Sequence, residues 1–547
     1  MSASSKKKLR KEQEAVKLTE KQLTAQKEAK KTKLYTTLFV VAMVAILVIA
    51  VTVGINQFIS NSGVREKNTT ALTIGEHTLS NADLNYYYVD TVNNFYSQNG
   101  SYASFFGLDV TQPLNAQVFD ETTGETWADY FLESAKTTAA SVYAMNDAAK
   151  AAGFTLPEED ASNVDAIISN FSLYAGLYGY TDAETYLKAM YGKGATMEGV
   201  RNYLEMSMLA DAYKTSHQES LTYEDADLRS AEAENYDKYS SFSYNYYYLA
   251  ASRFQEGGTE NEDGTITYSD EEKAAAVAAA EAAANSIVSA EITSVDALDA
   301  AIAALPINAE NTTAKSTAYT DYSYASIDED LSAWLAADGR QEGDVACVPN
   351  TATSTAADGT ETTETMGYYV VYFHSMDDNN FAMKNARHIL VSFEGGSTDD
   401  LGNTTYSDEE KAAAKAAAEE ILNEWKAGEA TEDSFAALAT ERTDDTGSAA
   451  NGGLYEDIYP GQMVEPFEDW CYDAARKTGD TGIVETTYGY HVMFFVGDSA
   501  TTYRDFQIRN TLATADHGAW YTAIVDSVTV TEGNTKYLSK DIVLAGN

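Results

Sequence analysis

Six histidines, at positions 77, 217, 374, 388, 491 and 517, are the side chains of this chain best suited to proton and hydrogen-bond chemistry near neutral pH. Four of them (His77, His217, His374 and His517) fit no pattern and read as structural. His388 and His491 each sit in a short aromatic and β-branched stretch, ARHILV (386–391) and YGYHVMFF (488–495), of the kind that forms strands. Serine and aspartate are plentiful, but no G-x-S-x-G or other nucleophile motif is present. The glycine pairs at 257, 395 and 452 lack the pattern of a phosphate-binding loop. Cys347 and Cys471 have the wrong spacing for zinc, which leaves two free thiols or a single bridge.

The elements that must carry these histidines are visible through an internal repeat. TYSDEEKAAAVAAAE (267–281) and TYSDEEKAAAKAAAE (405–419) agree at fourteen of fifteen positions, 138 residues apart. Each predicts a helix start, with Ser269 or Ser407 as N-cap and Glu272 or Glu410 completing a capping box. Strand-like YYYLAAS (246–252) precedes the first helix as ARHILVS (386–392) precedes the second. Further on, Trp334, Arg340, Gly343 and Asp344 match Trp470, Arg476, Gly479 and Asp480, and MGYYVVYF (366–373) matches YGYHVMFF. Two tandem copies of one α+β domain are expected, at 241–376 and 381–498, each reading strand, loop, helix, helix, strand. Residues 65–240 have the three- and four-residue apolar spacing of a helical region, which 500–547 would complete. The tail 499–547 predicts one more helix near Tyr503–Val525 and a strand near Ser527–Thr531.

Residues 34–56 hold an uncharged apolar run, LYTTLFVVAMVAILVIAVTVGI, long enough to cross a bilayer as a helix. Before it, residues 1–33 contain eleven Lys/Arg and four Glu, which predicts a cytoplasmic tail and an extracytoplasmic remainder. A cleaved signal peptide is the competing reading. The long basic stretch, the length of the run and the lack of an A-x-A site disfavour it. The net charge of -47 argues against nucleic acid as a partner, since phosphate binding needs clustered cations. A 44% hydrophobic, 11% aromatic composition gives enough apolar material for packed cores, so the chain is not a disordered acidic polymer.

The second copy resembles the parvulin (PpiC) family along its length, through ARHILV, FAALATERTDD (435–445), NGGL (451–454), GQMVEPFEDW (461–470), KTGDTGIVET (477–486) and YGYHVMFF in the family's order. The wider layout is similar to PrsA/SurA-type foldases, in which a helical chaperone region carries the isomerase. The resemblance implies a small antiparallel sheet with flanking helices. It implies His388 and His491 as the paired histidines, Asp445 as the acidic partner and Thr486 as a supporting hydroxyl. Met463 and Phe467, with Leu454 beside them, would form the apolar floor for a proline ring, and Tyr488 would join the substrate-binding set. Two departures stand out: Tyr455 replaces a common glycine, and the acidic loop FEGGSTDDLGN (393–403) makes selection of phosphorylated substrates unexpected. In the first copy, Tyr248 and Tyr369 are expected in place of the histidines and Leu331 in place of Phe467.

The implied activity is cis/trans isomerisation of X–Pro bonds in newly secreted chains, at the outer face of the cytoplasmic membrane. It needs no cofactor. Its partners would be unfolded polypeptides and the membrane, and the sequence also admits a homodimer. The alternative is a non-catalytic holdase, and the 38 tyrosines suit chain binding in either case.

Overall fold

The computed structural model describes residue 43 and residues 62–261, 264–311, 313–356, 359–399 and 402–544. The expected span at 34–56 thus lies outside the described residues, apart from Met43. Among the described residues no helix is long and apolar enough to cross a membrane. The chain divides into two compact units, one of residues 1–221 with 516–547 and one of residues 222–515.

After a short helix, Val64–Asn68, the first unit has a hairpin, β1 (Thr70–Ile74) and β2 (His77–Ser80), within the region expected to be largely helical. Ala71 and Leu72 are both buried at a register shift in β1, and Gly75 takes the positive φ of the turn between the strands. Helices α1 (Asn81–Asn99), α2 (Trp127–Ala151), α3 (Glu158–Leu177), α4 (Ala183–Tyr191) and α5 (Met197–Ser220) follow. Capping boxes at Ser80 with Asp83, and Thr126 with Asp129, start the two helices that pack on the hairpin.

The second unit begins with α6 (Asp225–Glu234). It continues through β3 (Ser241–Ala250), α7 (Asp270–Val288), α8 (Val295–Ala303), β4 (Thr317–Ser323), α9 (Glu329–Leu335), β5 (Val345–Thr355) and β6 (Glu361–Asp377). Next come β7 (Ala382–Ser392), α10 (Asp408–Ala427), α11 (Glu432–Arg442), β8 (Leu454–Ile458), α12 (Glu465–Tyr472), β9 (Thr481–Glu485) and β10 (Gly489–Thr502). The helix α13 (Tyr503–Asp526) and the strand β11 (Val530–Glu532) end the path. The first unit's sheet has the order β11-β1-β2.

The two four-stranded sheets of the second unit share one topology, β4-β3-β6-β5 and β8-β7-β10-β9. Local devices recur with it. Ser269 and Ser407 cap α7 and α10 through Glu272 and Glu410. The Arg340 guanidinium lies 3.5 Å over the Trp334 ring and the Arg476 guanidinium 3.9 Å over the Trp470 ring, and each donates from Nε to that tryptophan's carbonyl. One slip separates the sheets. A four-residue 3-10 turn, Ala251–Phe254, follows β3 and has no counterpart after β7. Cys347 and Cys471 are both free thiols.

In the second sheet, period-2 alternation sorts the residues cleanly. Ile389, Val492 and Phe494 face α10 and α11, where they pack with Ile421, Trp425 and Phe435. Ala386 and Met493 face the other way, onto Phe467 and Cys471 of α12. The register pairs His388 with Met493 and Leu390 with His491, so both histidines lie on the α12 face as diagonal neighbours.

Candidate active site

Close backbone approach fixes His388. Its N–H donates to the Gly453 carbonyl at 2.8 Å. Gly453 has φ +70, and a Cβ there would stand 2.1 Å from the His388 carbonyl oxygen, so only glycine permits this crossing. The loop carrying Asp445 is stitched to the same strand, because Asp444 N–H donates to the Leu390 carbonyl and Leu390 N–H to the Thr443 hydroxyl. Thr486 follows β9 in a tight turn, its N–H donating to the Gly489 carbonyl at 2.9 Å.

These placements create a continuous polar chain. His388 Nε2 lies 2.9 Å from Asp445 Oδ2, His388 Nδ1 lies 2.9 Å from His491 Nδ1, and His491 Nε2 lies 2.9 Å from Thr486 Oγ1. An ionised Asp445 can only accept, so His388 carries its proton on Nε2. A neutral His388 then accepts at Nδ1 from His491 Nδ1–H, and His491 accepts at Nε2 from the Thr486 hydroxyl. Asp445 Oδ2 also accepts from the Ser448 hydroxyl and, at 3.1 Å, from the Tyr455 hydroxyl, while Oδ1 accepts from Gly447 N–H. Three donors fill Oδ2, which orients the imidazole, while Oδ1 accepts only from Gly447 N–H and keeps acceptor capacity at the edge of the site.

Electrostatics agree with that proton arrangement. Burial lowers the His388 pKa, partly offset by Asp445. Burial and the neighbouring His388 push His491 down to about 4. Burial alone would raise Asp445, but the bonds from Ser448, His388 and Tyr455 outweigh it and hold the carboxyl below its ordinary range. Burial pushes the Cys471 thiol up to about 12, which removes it as a thiolate nucleophile. Among the described residues no three His, Cys, Asp or Glu side chains converge as metal ligands would.

A pH dependence follows. The folded His491 pKa lies below the unfolded value of about 6.5, so folding favours the neutral ring. Its contribution is complete above about pH 6.5 and is lost as pH falls toward 4. The loss should be on the order of 2–3 kcal/mol. Thermal melts from pH 7 to pH 4 should show the domain's Tm falling, and His491→Gln should flatten the slope. An equal slope in both proteins would contradict this origin.

The apolar wall is built around Phe467, which is fully buried on α12 and meets the rings of His388 and His491 edge-on at 5.5 and 5.4 Å. Met463 packs half-buried on the same cluster. Leu454 does not join it. The register pairs Leu454 with Arg387, one position out of phase with His388, and so turns it to the face toward α11. Its neighbour Tyr455, opposite Ala386, takes the place expected of Leu454, with its ring 5.3 Å from His388. Tyr488 stands at the tip of the Thr486 turn, 63% exposed and clear of the histidines. His388, His491 and Thr486 are 3, 5 and 7% exposed, so Asp445 and Tyr455 form the polar edge that a bound peptide can reach. Sequence reasoning gave no role to Tyr455 or Ser448. The only signal was that Tyr455 stands where glycine is common.

The first sheet lacks imidazoles at this place. Gly367 pairs with Ala250 as Gly489 pairs with Ser392, and Val371 pairs with Tyr246 as Met493 pairs with His388. The counterpart of His388 is therefore Tyr246, two residues before the expected Tyr248, because the inserted 3-10 turn offsets the sequence match. Tyr246 meets Tyr369 edge-on at 5.7 Å, and Tyr248 donates to Asn350.

Residues 369–497 match the family described as PPIC-type PPIASE domain. The Foldase protein PrsA 1 of Listeria innocua is 43% identical over 82 residues, covering 15% of this chain and 26% of that one. The Chaperone SurA of Chromohalobacter salexigens is 48% identical over 65 residues, 11% of this chain and 14% of that one. The crystal structure of peptidylprolyl isomerase (PrsA) from Bacillus anthracis is 22% identical with a TM-score of 0.17, covering 27% of this chain and 59% of that one. The chain thus spans about a quarter of the length of the foldase relatives it matches.

Proposed function

We propose that this chain, which carries a PPIC-type isomerase domain at 369–497, is an extracytoplasmic folding factor that isomerises X–Pro bonds in unfolded, newly secreted polypeptides. The observation that carries the reading is the chain from Thr486 through His491 and His388 to Asp445, set edge-on against Phe467. An X–Pro amide must twist through a barrier of about 18–20 kcal/mol, and no lasting bond forms. Catalysis needs an apolar seat for the pyrrolidine and polar groups that suit the twisted amide better than the planar one. Phe467 and Met463 supply the seat. Asp445 and Tyr455, held rigid by the buried histidines, supply the polar edge.

The basic tail 1–33 and the uncharged run 34–56 support a single-pass anchor with the bulk of the chain outside the cell. The shared strand order supports 241–376 as a second parvulin-type copy without the catalytic imidazoles, and the helices of 65–240 support a chaperone region. The tyrosines of the first sheet favour a second reading, chain binding without catalysis.

A chromogenic X–Pro peptide assay separates the two. His388→Ala and Asp445→Asn should each lower kcat/KM by about 10- to 100-fold, the size of one or two lost charge-assisted hydrogen bonds. Wild-type rates in both variants would remove the isomerase reading. Retained suppression of client aggregation would then leave the holdase.

A further inference from the structure

Within the first unit, one surface is apolar where the sequence around it carries carboxylates and no lysine or arginine. The 3-10 turn Gly100–Phe106 exposes Tyr102, Phe105 and Phe106, the hairpin at 118–126 exposes Val118 and Phe119, and the first turn of α2 adds Tyr130, with Phe105 87% exposed. The exposed rings form two contacting pairs, Phe105 with Phe106 and Phe119 stacked on Tyr130 at 4.4 Å, and half-buried Phe95 and buried Trp127 join the pairs beneath the surface. An open cleft between Tyr96 and Tyr102 adjoins them. A contiguous patch of this kind marks a contact site, whereas singly exposed rings are ordinary on a protein surface.

The charges narrow the occupant. Between Lys67 and Lys136 there is no lysine or arginine, while Asp120, Glu121 and Glu125 lie on the hairpin and Asp109 follows just after the 3-10 turn. Among the described residues, no ion pair engages Glu121 or Glu125. A second copy would bring the same carboxylates and be repelled. An anionic bilayer would be repelled for the same reason. An extended polypeptide carrying aromatic or aliphatic side chains among lysines and arginines complements both features.

We infer that the aromatic platform formed by Phe105, Phe106, Phe119 and Tyr130 is a docking surface for unfolded segments that are apolar and basic. It rests on the reading of this chain as a handler of unfolded polypeptide and names which segments it selects. The rings bury the client's apolar side chains, and the carboxylates raise the association rate and reject acidic segments.

The test is fluorescence anisotropy with the full chain and a labelled, proline-free peptide alternating Phe and Leu with Lys. A sister peptide has Glu in place of Lys. The basic peptide should bind at least tenfold more tightly than the acidic one. Phe105→Ser/Phe119→Ser should weaken basic-peptide binding at least tenfold while leaving the melting curve and X–Pro turnover unchanged. Glu121→Gln/Glu125→Gln should reduce the salt dependence. Equal affinity for the two peptides, or undiminished binding by the double serine variant, would overturn the proposal. So would a dimer, or attachment to anionic vesicles, that the double serine variant abolishes. Because the peptides contain no proline, failed turnover in the isomerase assay would leave this result standing, and failed docking would leave the isomerase reading standing.

Discussion

Phe467→Ala should destabilise the second sheet domain by about 3–5 kcal/mol, the usual cost of truncating a buried phenylalanine, and abolish X–Pro turnover. Phe467 is fully buried, and its ring touches both imidazoles of the polar chain. Truncation leaves a cavity bordered by two neutral histidines, a site polar enough to admit water. Hydration would weaken the burial that lowers both rings, so His491 should titrate nearer its ordinary value than the native figure of about 4. Urea unfolding gives the stability, and NMR titration of the imidazoles gives the shift. Phe467→Leu is the informative partner, since Leu331 occupies the matching place in the first sheet. It keeps most of the volume and should cost about 1 kcal/mol. Turnover that survives in a folded Leu variant would mean that the aromatic edge has no part in catalysis.

The second large effect is expected at Arg504, which is 1% exposed. Its guanidinium donates to the Glu232 carboxylate, the Asp378 and Tyr236 carbonyls and the Ser240 hydroxyl, and lies 3.8 Å over the Tyr236 ring. One side chain thereby gathers α6, the entry to β3, the crossing from β6 to β7 and the start of α13. Arg504→Ala would leave Glu232 with Arg229 as its remaining cation and would strip the buried Asp378 and Tyr236 carbonyls of their donor, which should cost about 2–4 kcal/mol. Arg504→Lys should recover only part, because an ammonium has neither the planar fork nor the stacking face. Limited proteolysis near 236–240 and 378–381 should accelerate in both variants. Unchanged melting and cleavage would show that the junction is held by other contacts.

Local rules made much of this architecture readable. Ser-x-x-Glu before an alanine-rich run can hardly be anything but a helix start, and both copies contain the resulting cap. Strand phase was harder. The motif NGGL-Tyr says that a chain crossing occurs, but whether Leu454 or Tyr455 turns inward is set by the register against Ala386 and Arg387, a long-range fact. The same limit explains Tyr246. A four-residue 3-10 turn shifts the sequence match without disturbing strand order. Ser448 was illegible because its role depends on a one-turn helix capped by Asp445. The hairpin β1–β2 was hidden in a segment whose later residues are helical.

The pairing of β1 with β11 has a consequence for biogenesis. Leu72 faces Glu532, roughly 460 residues further along. During synthesis the N-terminal hairpin must wait with one edge bare while both four-stranded domains emerge. Each of those begins and ends on paired residues, Ser241 with Asp377 and Ala382 with Thr502, so each can close on itself in passing. Once closed, they take residues 241–377 and 382–502 out of the flexible tether between β1 and β11, which reduces the entropy of the final closure. Until then the uncovered strand edge is the nascent chain's most exposed liability to mispairing.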